Sequence, residues 1–493
     1  MDWSELSATV KWNIQPFIGG RYRPSDSTEV FQNVNPATEL SLCDIPNGCA
    51  QDIDQAVRVA RQRFDDGCWS NVSPFRRMEV LLKLAELITK NKIQLALLDT
   101  LEMGKPITAS LFDAETFAPG LIRSWAGYAD KLMGLAAPIN SSTVVLNTYQ
   151  PRGVIGAITA WNFPVVNAVV KLAPALAAGN AVVLKPSELA PSSALKLAEL
   201  ALEAGLPEGV LNVVPGLGST VGQALALHPG VDMVSFTGST GTGRKIMELS
   251  GRSNGKPVLL ECGGKSPHVV FADIGDIEGV AAATVEGALW NQGQVCSAHT
   301  RWLVEEEIAD SLVESIVRRA SQRQPDDPLK EATIDGPLAS PAQRARVKAY
   351  VEEGTKSGAR AVLRGMIQER GGCYVSPTVF DRVQPHMRIV REEIFGPVLC
   401  VQRFSTEEEA VALANGTDYG LEATVWTRDM GRSKRLAHAI KAGGVSIRTS
   451  GKQDGEVFVL SQEPQKASGF GVEIGLKGLE SYSTLKSISF IGA

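Results

Sequence analysis

Three residues of this sequence carry side chains suited to acyl transfer at sulfur. Cys296 lies in the run NQGQVCSA and offers a thiol, whose thiolate form attacks a carbonyl carbon. Glu261 lies in LECGGKSP and offers a base that can activate water. Asn162 lies in AWNFP and offers an amide that can stabilise an oxyanion. A nucleophile, a base and an oxyanion donor together predict a reaction that passes through a thioester.

Each of these residues taken alone is weak evidence. Most buried cysteines are small apolar side chains, and a glutamate that ends a strand is usually solvated. Cys262, next to Glu261, is expected to have only a structural role. His299, three residues after Cys296, would be the imidazole partner if the protein were a cysteine hydrolase, although a structural role is expected for it as well.

The elements that must position these residues alternate between strands and helices. One helix is predicted to begin at Ser73-Pro74, where an N-cap residue precedes proline. Strands are predicted at 182–184, 210–214, 231–236 and 258–260, with a helix at 192–204. Because strands separated by helices pair in parallel, this order predicts an α/β fold with a doubly wound, Rossmann-type sheet. Residues 261–447, with a charged helix at 305–319, predict a second α/β domain.

A chain of 493 residues is too long for one hydrophobic core and predicts two or three domains. We predict a dinucleotide-binding domain from residues 1–127 and 151–260, and a catalytic domain from 261–450. Segments 142–149 and 482–490 have strand-type residues and fit neither domain. We therefore assign 128–150 and 475–493 to a small β element for oligomerisation, which predicts a homodimer or homotetramer.

The overall composition excludes several classes of partner. With a net charge of -5 and no run of Lys or Arg, nucleic acid is not an expected ligand. The uncharged stretch 153–170 is interrupted by Gly156 and Pro164, so we expect no membrane span. No signal peptide is evident at the N-terminus, which predicts a cytoplasmic protein. Seven cysteines without a CxxC motif or zinc spacing indicate a reducing compartment and no metal site.

Two glycine-rich turns follow predicted strands. Gly218 belongs to the first turn, and Gly238 with Ser239 begins the second. Such turns let the backbone approach a pyrophosphate at a helix N-terminus, although neither matches GxGxxG and each is equally well a tight turn. Lys185 and Glu188, after the strand 182–184, are suited to ribose hydroxyls or form a solvated helix-entry loop. A carboxylate at this place repels a 2′-phosphate, which favours NAD, with NADP as the other possibility.

The ordered set of motifs resembles the aldehyde dehydrogenase superfamily. Seven runs occur in the order and spacing of that family between about residues 15 and 490: AWNFP, KPSE, FTGST, LECGGKSP, NQGQVCSA, EEIFGP, and Asn415 with YGL. The resemblance implies an aldehyde-dehydrogenase-like fold that has a dinucleotide domain, a catalytic domain and a β element for oligomerisation. It also implies an aldehyde as the substrate and NAD as the cofactor.

The resemblance assigns roles to individual positions. It implies that Cys296 is the nucleophile, that Glu261 is the base for deacylation, and that Asn162 forms the oxyanion hole with the Cys296 amide. Lys171 and Glu473 match positions with proton-relay roles. The cofactor contacts in this set are Trp161, Lys185, Glu188, Gly218, Phe236, Gly238, Ser239, Glu393 and Phe395.

The leading prediction is an NAD-dependent, non-acylating aldehyde dehydrogenase. Glu261 argues against the alternative of a CoA-acylating semialdehyde dehydrogenase, because that chemistry needs no base for water. A structural or binding member of the fold stays open, since the loop from Arg448 to Pro464 departs from the family pattern.

The substrate tunnel also departs from the family pattern. Asn167 and Val170 stand where bulky apolar residues are common, and Trp290, Val295 and Ser297 are expected to line the same tunnel. With the polar run 452–456, they predict a wide and partly polar tunnel. Arg448 is expected either near the substrate or in a structural salt bridge.

Overall fold

The computed structural model describes residues 1–140, 142–369, 371–450 and 461–491, and the polar run 452–456 lies outside them. Among the described residues, no helix has the length and apolar character that crossing a membrane requires. The bounds of the α-helices are α1 (Trp3–Ala8), α2 (Ala50–Asp65), α3 (Pro74–Lys90), α4 (Lys92–Met103), α5 (Ile107–Phe112), α6 (Ala118–Tyr128), α7 (Pro164–Ala177), α8 (Ser192–Glu203), α9 (Gln223–Leu227), α10 (Thr240–Arg252), α11 (Ile277–Leu289), α12 (Glu306–Ser321), α13 (Pro341–Lys356), α14 (Arg388–Arg391), α15 (Glu407–Ala414), α16 (Met430–Ala439) and α17 (Gly475–Ser481).

The strands form two large sheets and three small ones. Their bounds are β1 (Phe17–Ile18), β2 (Arg21–Tyr22), β3 (Val30–Val34), β4 (Ser41–Pro46), β5 (Leu135–Asn140), β6 (Thr143–Pro151), β7 (Val154–Ile158), β8 (Ala181–Lys185), β9 (Leu211–Val213), β10 (Met233–Thr237), β11 (Val258–Glu261), β12 (Pro267–Val270), β13 (Arg301–Glu305), β14 (Arg360–Leu363), β15 (Thr378–Asp381), β16 (Val398–Phe404), β17 (Tyr419–Gly420), β18 (Glu422–Trp426), β19 (Gly444–Arg448), β20 (Gln465–Lys466), β21 (Gly469–Phe470) and β22 (Ser483–Ile491).

The first large sheet has the order β2-β1-β9-β8-β7-β10-β11-β21. Its five central strands pair in parallel, from β9 to β11. Strands β7 and β8 are buried along their whole length, as expected where helices cover both faces of a sheet. This arrangement confirms the doubly wound sheet predicted from the sequence, and it adds antiparallel strands at both edges.

The second large sheet has the order β14-β15-β16-β13-β12-β18-β19 and is parallel from β15 to β19. Helices α11 and α12 bury apolar residues against one face, and α15 and α16 against the other. The second sheet and the helices on its two faces therefore confirm the second α/β unit that the sequence predicts. Its boundaries with the first domain stay a prediction.

A three-stranded antiparallel sheet has the order β22-β6-β5. Its outer strands carry exposed apolar side chains, including Leu135 (74%), Ile139 (62%) and Phe490 (57%). Residues 475–481, included in the predicted strand segment, instead form α17. They are helical because Leu479 enters the core formed by α6 and α7, which gives this segment a helical pattern of burial.

Candidate active site

Asn162 lies in the loop between β7 and α7, and three hydrogen bonds hold it in place. Its Nδ2 donates to the carbonyl oxygen of Gln294 at 2.9 Å, and its Oδ1 accepts from Asn167 Nδ2 at 3.1 Å. Its backbone oxygen accepts from Asn291 Nδ2 at 2.9 Å. Because Nδ2 carries two hydrogens, one hydrogen remains for an oxyanion. The amide is thus fixed in orientation before any substrate arrives.

Cys296 follows a backbone reversal at the end of α11. Asn291, Gln292 and Gly293 all have positive φ angles of 50°, 57° and 71°, which is unusual for side chains other than glycine. Side-chain hydrogen bonds stabilise the reversal: Gln294 Nε2 donates to the Asn291 carbonyl at 3.2 Å, and Gln294 Oε1 accepts from the Ala339 amide at 3.0 Å. This strained and supported turn presents the thiol to the cleft.

Glu261 is the last residue of β11, so it stands at the carboxyl edge of the parallel sheet. The chain then passes close behind Cys296. A Cβ at Gly264 would clash with the carbonyl oxygen of Cys296, which explains why only glycine fits this part of LECGGKSP. The base and the nucleophile therefore come from two segments in direct backbone contact.

One cleft of about 310 Å³ collects most of the predicted residues. It is lined by Ala160, Trp161, Asn162, Phe163, Asn167, Thr237, Gly238, Ser239, Glu261, Cys262, Gly263, Cys296, Gln343, Arg346, Glu393 and Phe395. Nucleophile, base and oxyanion donor thus share a cavity with five predicted cofactor residues. Lys185 and Glu188 lie outside this lining, at the end of the adjacent strand β8.

The electrostatics of the cleft keep its acids protonated. Burial raises the pKa of the Cys296 thiol to about 12, and the carboxylates of Glu261 and Glu393 add to the rise. Burial also raises the pKa of Glu261 to about 8, with a further contribution from Glu473 that Lys171 opposes. Both the thiol and the base are therefore mainly in their acid forms at neutral pH.

Behind Glu261, Lys171 and Glu473 form a buried ion pair. Lys171 is fully buried on α7, four residues after Asn167 and on the same face of the helix. Glu473 is 4% exposed and follows β21, which pairs with β11. The structure thus brings the two predicted relay residues together, although neither lines the cleft itself.

The predicted dinucleotide residues lie at the carboxyl edge of the first sheet. Ser239 is the N-cap of α10 and accepts from the Thr242 amide at 3.2 Å. A Cβ at Gly238 would lie 2.5 Å from the Phe236 ring, so glycine keeps the backbone bare at this helix N-terminus. The buried Lys185 pairs with Glu188 at 2.8 Å. A bare helix N-terminus on the same sheet edge as a lysine and a carboxylate fits a pyrophosphate and a ribose of one dinucleotide.

Glu393 and Phe395 lie in a strained turn, and the sequence alone did not indicate this strain. Phe395 has a φ of 62°, and its ring packs edge-on against Trp161 at 5.3 Å between centroids. Two residues of α13 support the turn: Gln343 Nε2 donates to the Phe395 carbonyl at 2.6 Å, and Arg346 donates to the Glu393 carbonyl at 2.7 Å. Neither residue was singled out from the sequence, because nothing in an exposed polar helix indicates such contacts.

Two residues that the sequence analysis considered as site residues lie outside the cleft. Gly218 begins a five-residue π-helix on the surface, with open space around it. His299 packs against His268 at 4.7 Å between ring centroids, and its Nε2 lies 2.9 Å from Thr424 Oγ1. This structural placement of His299 matches the expected one and leaves the cysteine hydrolase without its imidazole base.

The tunnel residues are only partly brought together. Asn167 lines the cleft, but its Nδ2 is engaged by Asn162 and by the Ala160 carbonyl at 3.2 Å. Val170 packs against the core, and Trp290 packs against Phe163 at 5.0 Å between centroids. Arg448 lies over the Trp426 ring at 5.4 Å. Among the described residues it forms no ion pair, so the structure provides a cation–π contact where a salt bridge was one expectation.

The fold and the cleft together define an α/β dehydrogenase with a cysteine beside a dinucleotide-type sheet. Residues 22–488 match the model of the aldehyde dehydrogenase family. The chain belongs to this family, which confirms the fold and the enzyme class predicted from the sequence.

Individual relatives match nearly the full chain. The NADP/NAD-dependent aldehyde dehydrogenase PuuC of Escherichia coli is 44% identical over 99% of this chain and 97% of its own length. The aminoacetaldehyde dehydrogenase of Pseudomonas aeruginosa is 39% identical over 99% and 97%. The P. syringae AldA indole-3-acetaldehyde dehydrogenase, solved as a mutant with NAD⁺ and IAA, superposes with a TM-score of 0.96 at 41% identity over 99% of each chain. These similarities do not favour the CoA-acylating or non-catalytic alternatives.

Proposed function

We propose that this enzyme oxidises an aldehyde to its carboxylic acid through a thioester on Cys296. The observation that carries the proposal is the shared cleft, in which Cys296, Glu261 and Asn162 lie beside Gly238 and Glu393. A hydrolase has no use for the dinucleotide-type residues Gly238 and Glu393, and a binding protein has no use for a nucleophile with a base. A CoA-acylating enzyme has no use for the base.

Each of these residues has a role in a particular step of the reaction. The Cys296 sulfur bonds to the aldehyde carbon, and its proton passes to Glu261 or to water. The oxygen of the resulting thiohemiacetal accepts hydrogen bonds from the free hydrogen of Asn162 Nδ2 and from the Cys296 amide. When bound, the dinucleotide supplies the acceptor for the hydride of that carbon. Glu261, after releasing to solvent any proton that it received from the thiol, takes a proton from the water that attacks the thioester. The C–S bond then breaks, the acid leaves, and Cys296 regains a proton.

NAD is the dinucleotide that this site suits best. Gly238 and Ser239 at the N-terminus of α10 would hold the pyrophosphate, and Lys185 with Glu188 would hold the adenosine ribose. Glu188 supports NAD over NADP, because its side chain is 39% exposed and would repel a 2′-phosphate. Trp161, Glu393 and Phe395 would contact the nicotinamide half.

Asn167 supports the oxyanion hole in this scheme. Its Nδ2 donates to Asn162 Oδ1 and thereby fixes the orientation of the Asn162 side-chain amide in the cleft. We expect Asn167→Ala to slow thioester formation by about fivefold to tenfold, since a hydrogen bond contributes about 1 kcal/mol. Asn167→Asp should be slower still, because a carboxylate cannot donate to Asn162 Oδ1. The measurement is the single-turnover rate of NADH formation.

A purely polar role for Asn167 in the tunnel makes the opposite prediction. Aspartate preserves polarity and size, so it would then be tolerated better than alanine. An Asn167→Asp variant that forms the thioester at the wild-type rate would contradict the positioning role.

We also propose that the protein forms a cytoplasmic homo-oligomer. The exposed apolar residues of β5 and β22 support assembly with a second copy through the three-stranded sheet. All seven cysteines are free, which supports a reducing compartment. Size-exclusion chromatography with light scattering distinguishes a dimer from a tetramer.

A substrate panel tests the reaction and its specificity. NADH formation is measured with aliphatic, aromatic, amino- and carboxy-aldehydes, with NAD and NADP, and with and without CoA. We expect acid as the product, no dependence on CoA, and better turnover of bulky or polar aldehydes than of short alkanals, as the polar Asn167 in the cleft lining suggests. Relatives named for aminoacetaldehyde and indole-3-acetaldehyde support including both compounds. Absence of NADH with every aldehyde would contradict the proposed function.

A further inference from the structure

The carboxylate of Glu473 is the acceptor for buried donors from a helix, a strand and the residue between α17 and β22. Its Oε1 accepts from Lys171 Nζ of α7, from Ser235 Oγ of β10 at 3.2 Å, and lies 3.3 Å from the hydroxyl of Tyr482. The Tyr482 hydroxyl also lies 2.9 Å from Ser235 Oγ. Since each hydroxyl has one proton, the connected arrangement is Tyr482 donating to Ser235 and Ser235 donating to Glu473.

The three donors of this network have no access to solvent. Lys171, Ser235 and Tyr482 are each 0% exposed. Replacing a lost donor with water would therefore require the core to open. Burial and the Glu473 charge raise the pKa of Tyr482 well above its usual value, so its hydroxyl stays a donor throughout the working range of pH.

Two of these residues stand where the sequence gives no reason to expect a polar group. Ser235 is in the middle of β10, between apolar residues that are buried on both sides. Tyr482 is the residue that separates α17 from β22, the strand that runs along the three-stranded sheet. The hydrogen bonds thus connect the interior of the first large sheet with the start of β22 in the three-stranded sheet.

Glu473 acts in turn on Glu261. The charged groups that face Glu261 are Glu473, Lys171 on α7, and Glu422 at the start of β18, with the Cys296 thiol across the cleft. Glu473 and Glu422 raise the pKa of Glu261, whereas Lys171 lowers it. A change that lets the Glu473 carboxylate move away from Glu261 and Lys171 therefore weakens a repulsion and leaves Lys171 less neutralised.

We propose that Tyr482 and Ser235 are positioning residues for deacylation, which hold the Glu473 carboxylate in place against Lys171, behind Glu261. This inference rests on the proposed role of Glu261. Neither residue touches the substrate or the cofactor. Their effect is to keep Glu261 a stronger base than Lys171 alone would allow.

The test compares Tyr482→Phe and Ser235→Ala with the wild type. Each variant is given a pulse of aldehyde and NAD, and the decay of the Cys296 thioester is followed by acid quench and mass spectrometry at a series of pH values. We expect the thioester to form normally. We expect the pH at which its decay reaches half of the maximum to fall by roughly half a unit, because each variant removes a hydrogen bond and no charge. We also expect the maximum rate to fall because the base is weaker.

Tyr22→Phe is the matched control. Tyr22 also donates its hydroxyl to a carboxylate, Glu199, at 2.7 Å, but it lies at the opposite edge of the first sheet. This variant should keep the wild-type pH profile, because it removes a phenol–carboxylate bond that has no connection to Glu261. A shift in both tyrosine variants would overturn the inference.

The outcomes separate this inference from the proposed function. A wild-type enzyme that never forms a thioester refutes the proposed function. A thioester that decays with the same pH profile in the wild type and in both variants refutes only the positioning role. Ser235→Ala alone decides the question if Tyr482→Phe does not fold, since it removes a single oxygen atom.

Discussion

Replacement of Cys296 by alanine is expected to abolish aldehyde oxidation, with a loss in kcat of about 10⁶-fold, as is found when a catalytic nucleophile is removed. The sulfur is the atom that bonds to the substrate, so no neighbouring group replaces it. Asn162 and the cofactor residues remain in place, and aldehyde and NAD should still bind. NADH formation and acid-quench mass spectrometry measure the loss of turnover and of the thioester.

Cys262→Ala is the matched control for this variant. Cys262 lines the same cleft, and burial raises the pKa of its thiol to about 12, as it does for Cys296. Its sulfur, however, lies under α10, where a Cβ at Gly243 would approach it to 2.7 Å. We expect this variant to retain full activity. A thioester trapped on Cys262, or turnover that survives in Cys296→Ala, would contradict the assignment of the nucleophile.

Glu261→Gln is expected to separate the two halves of the reaction. The thioester should form with one NADH per site, because the amide leaves Cys296 and Asn162 unchanged. Its hydrolysis should slow by about 10²-fold to 10⁴-fold, the usual contribution of a general base. The pH profile provides an independent readout. Because the pKa of Glu261 is raised to about 8, its base form increases as the pH rises through that value.

Wild-type hydrolysis should therefore accelerate from neutral to alkaline pH, and this increase should disappear in Glu261→Gln. Glu422→Gln serves as the control, because Glu422 is a neighbouring carboxylate whose Oε1 accepts from Gln462 at 2.7 Å. It should change the rate by no more than a fewfold. If Glu261→Gln hydrolysed the thioester at the wild-type rate, another group would have to be the base.

The doubly wound sheet was predictable because its strands are short, apolar and bounded by glycine or proline. The strand at 182–184 and the helix at 192–204 agree with β8 and α8 to within a residue. Helix α2 was missed because the apolar residues of its buried face are only Ile53, Val57 and small alanines, a weak apolar signal within a polar segment. Helix α17 was missed because glycines interrupt its pattern.

The site was predictable to the extent that its residues lie in motifs of fixed spacing. Cys296, Glu261, Asn162 and Glu393 are of this kind, and all four meet in the cleft. Contacts between distant segments were not predictable. The hydrogen bond from Asn167 to Asn162 depends on the helical turn between them, and Arg346 reaches Glu393 from a separate helix. Such contacts depend on tertiary packing, which a pattern of residue types does not encode.

The buried setting of Cys296 has a consequence for the lifetime of the enzyme. Peroxides and electrophilic alkylating agents react with thiolates and hardly with thiols. With its pKa raised to about 12, the sulfur at rest is almost entirely a thiol at neutral pH. The same carboxylates that delay its ionisation thus shield it from oxidation to sulfenic acid. A catalyst that must expose a sulfur to reactive aldehydes is in this way kept inert between turnovers.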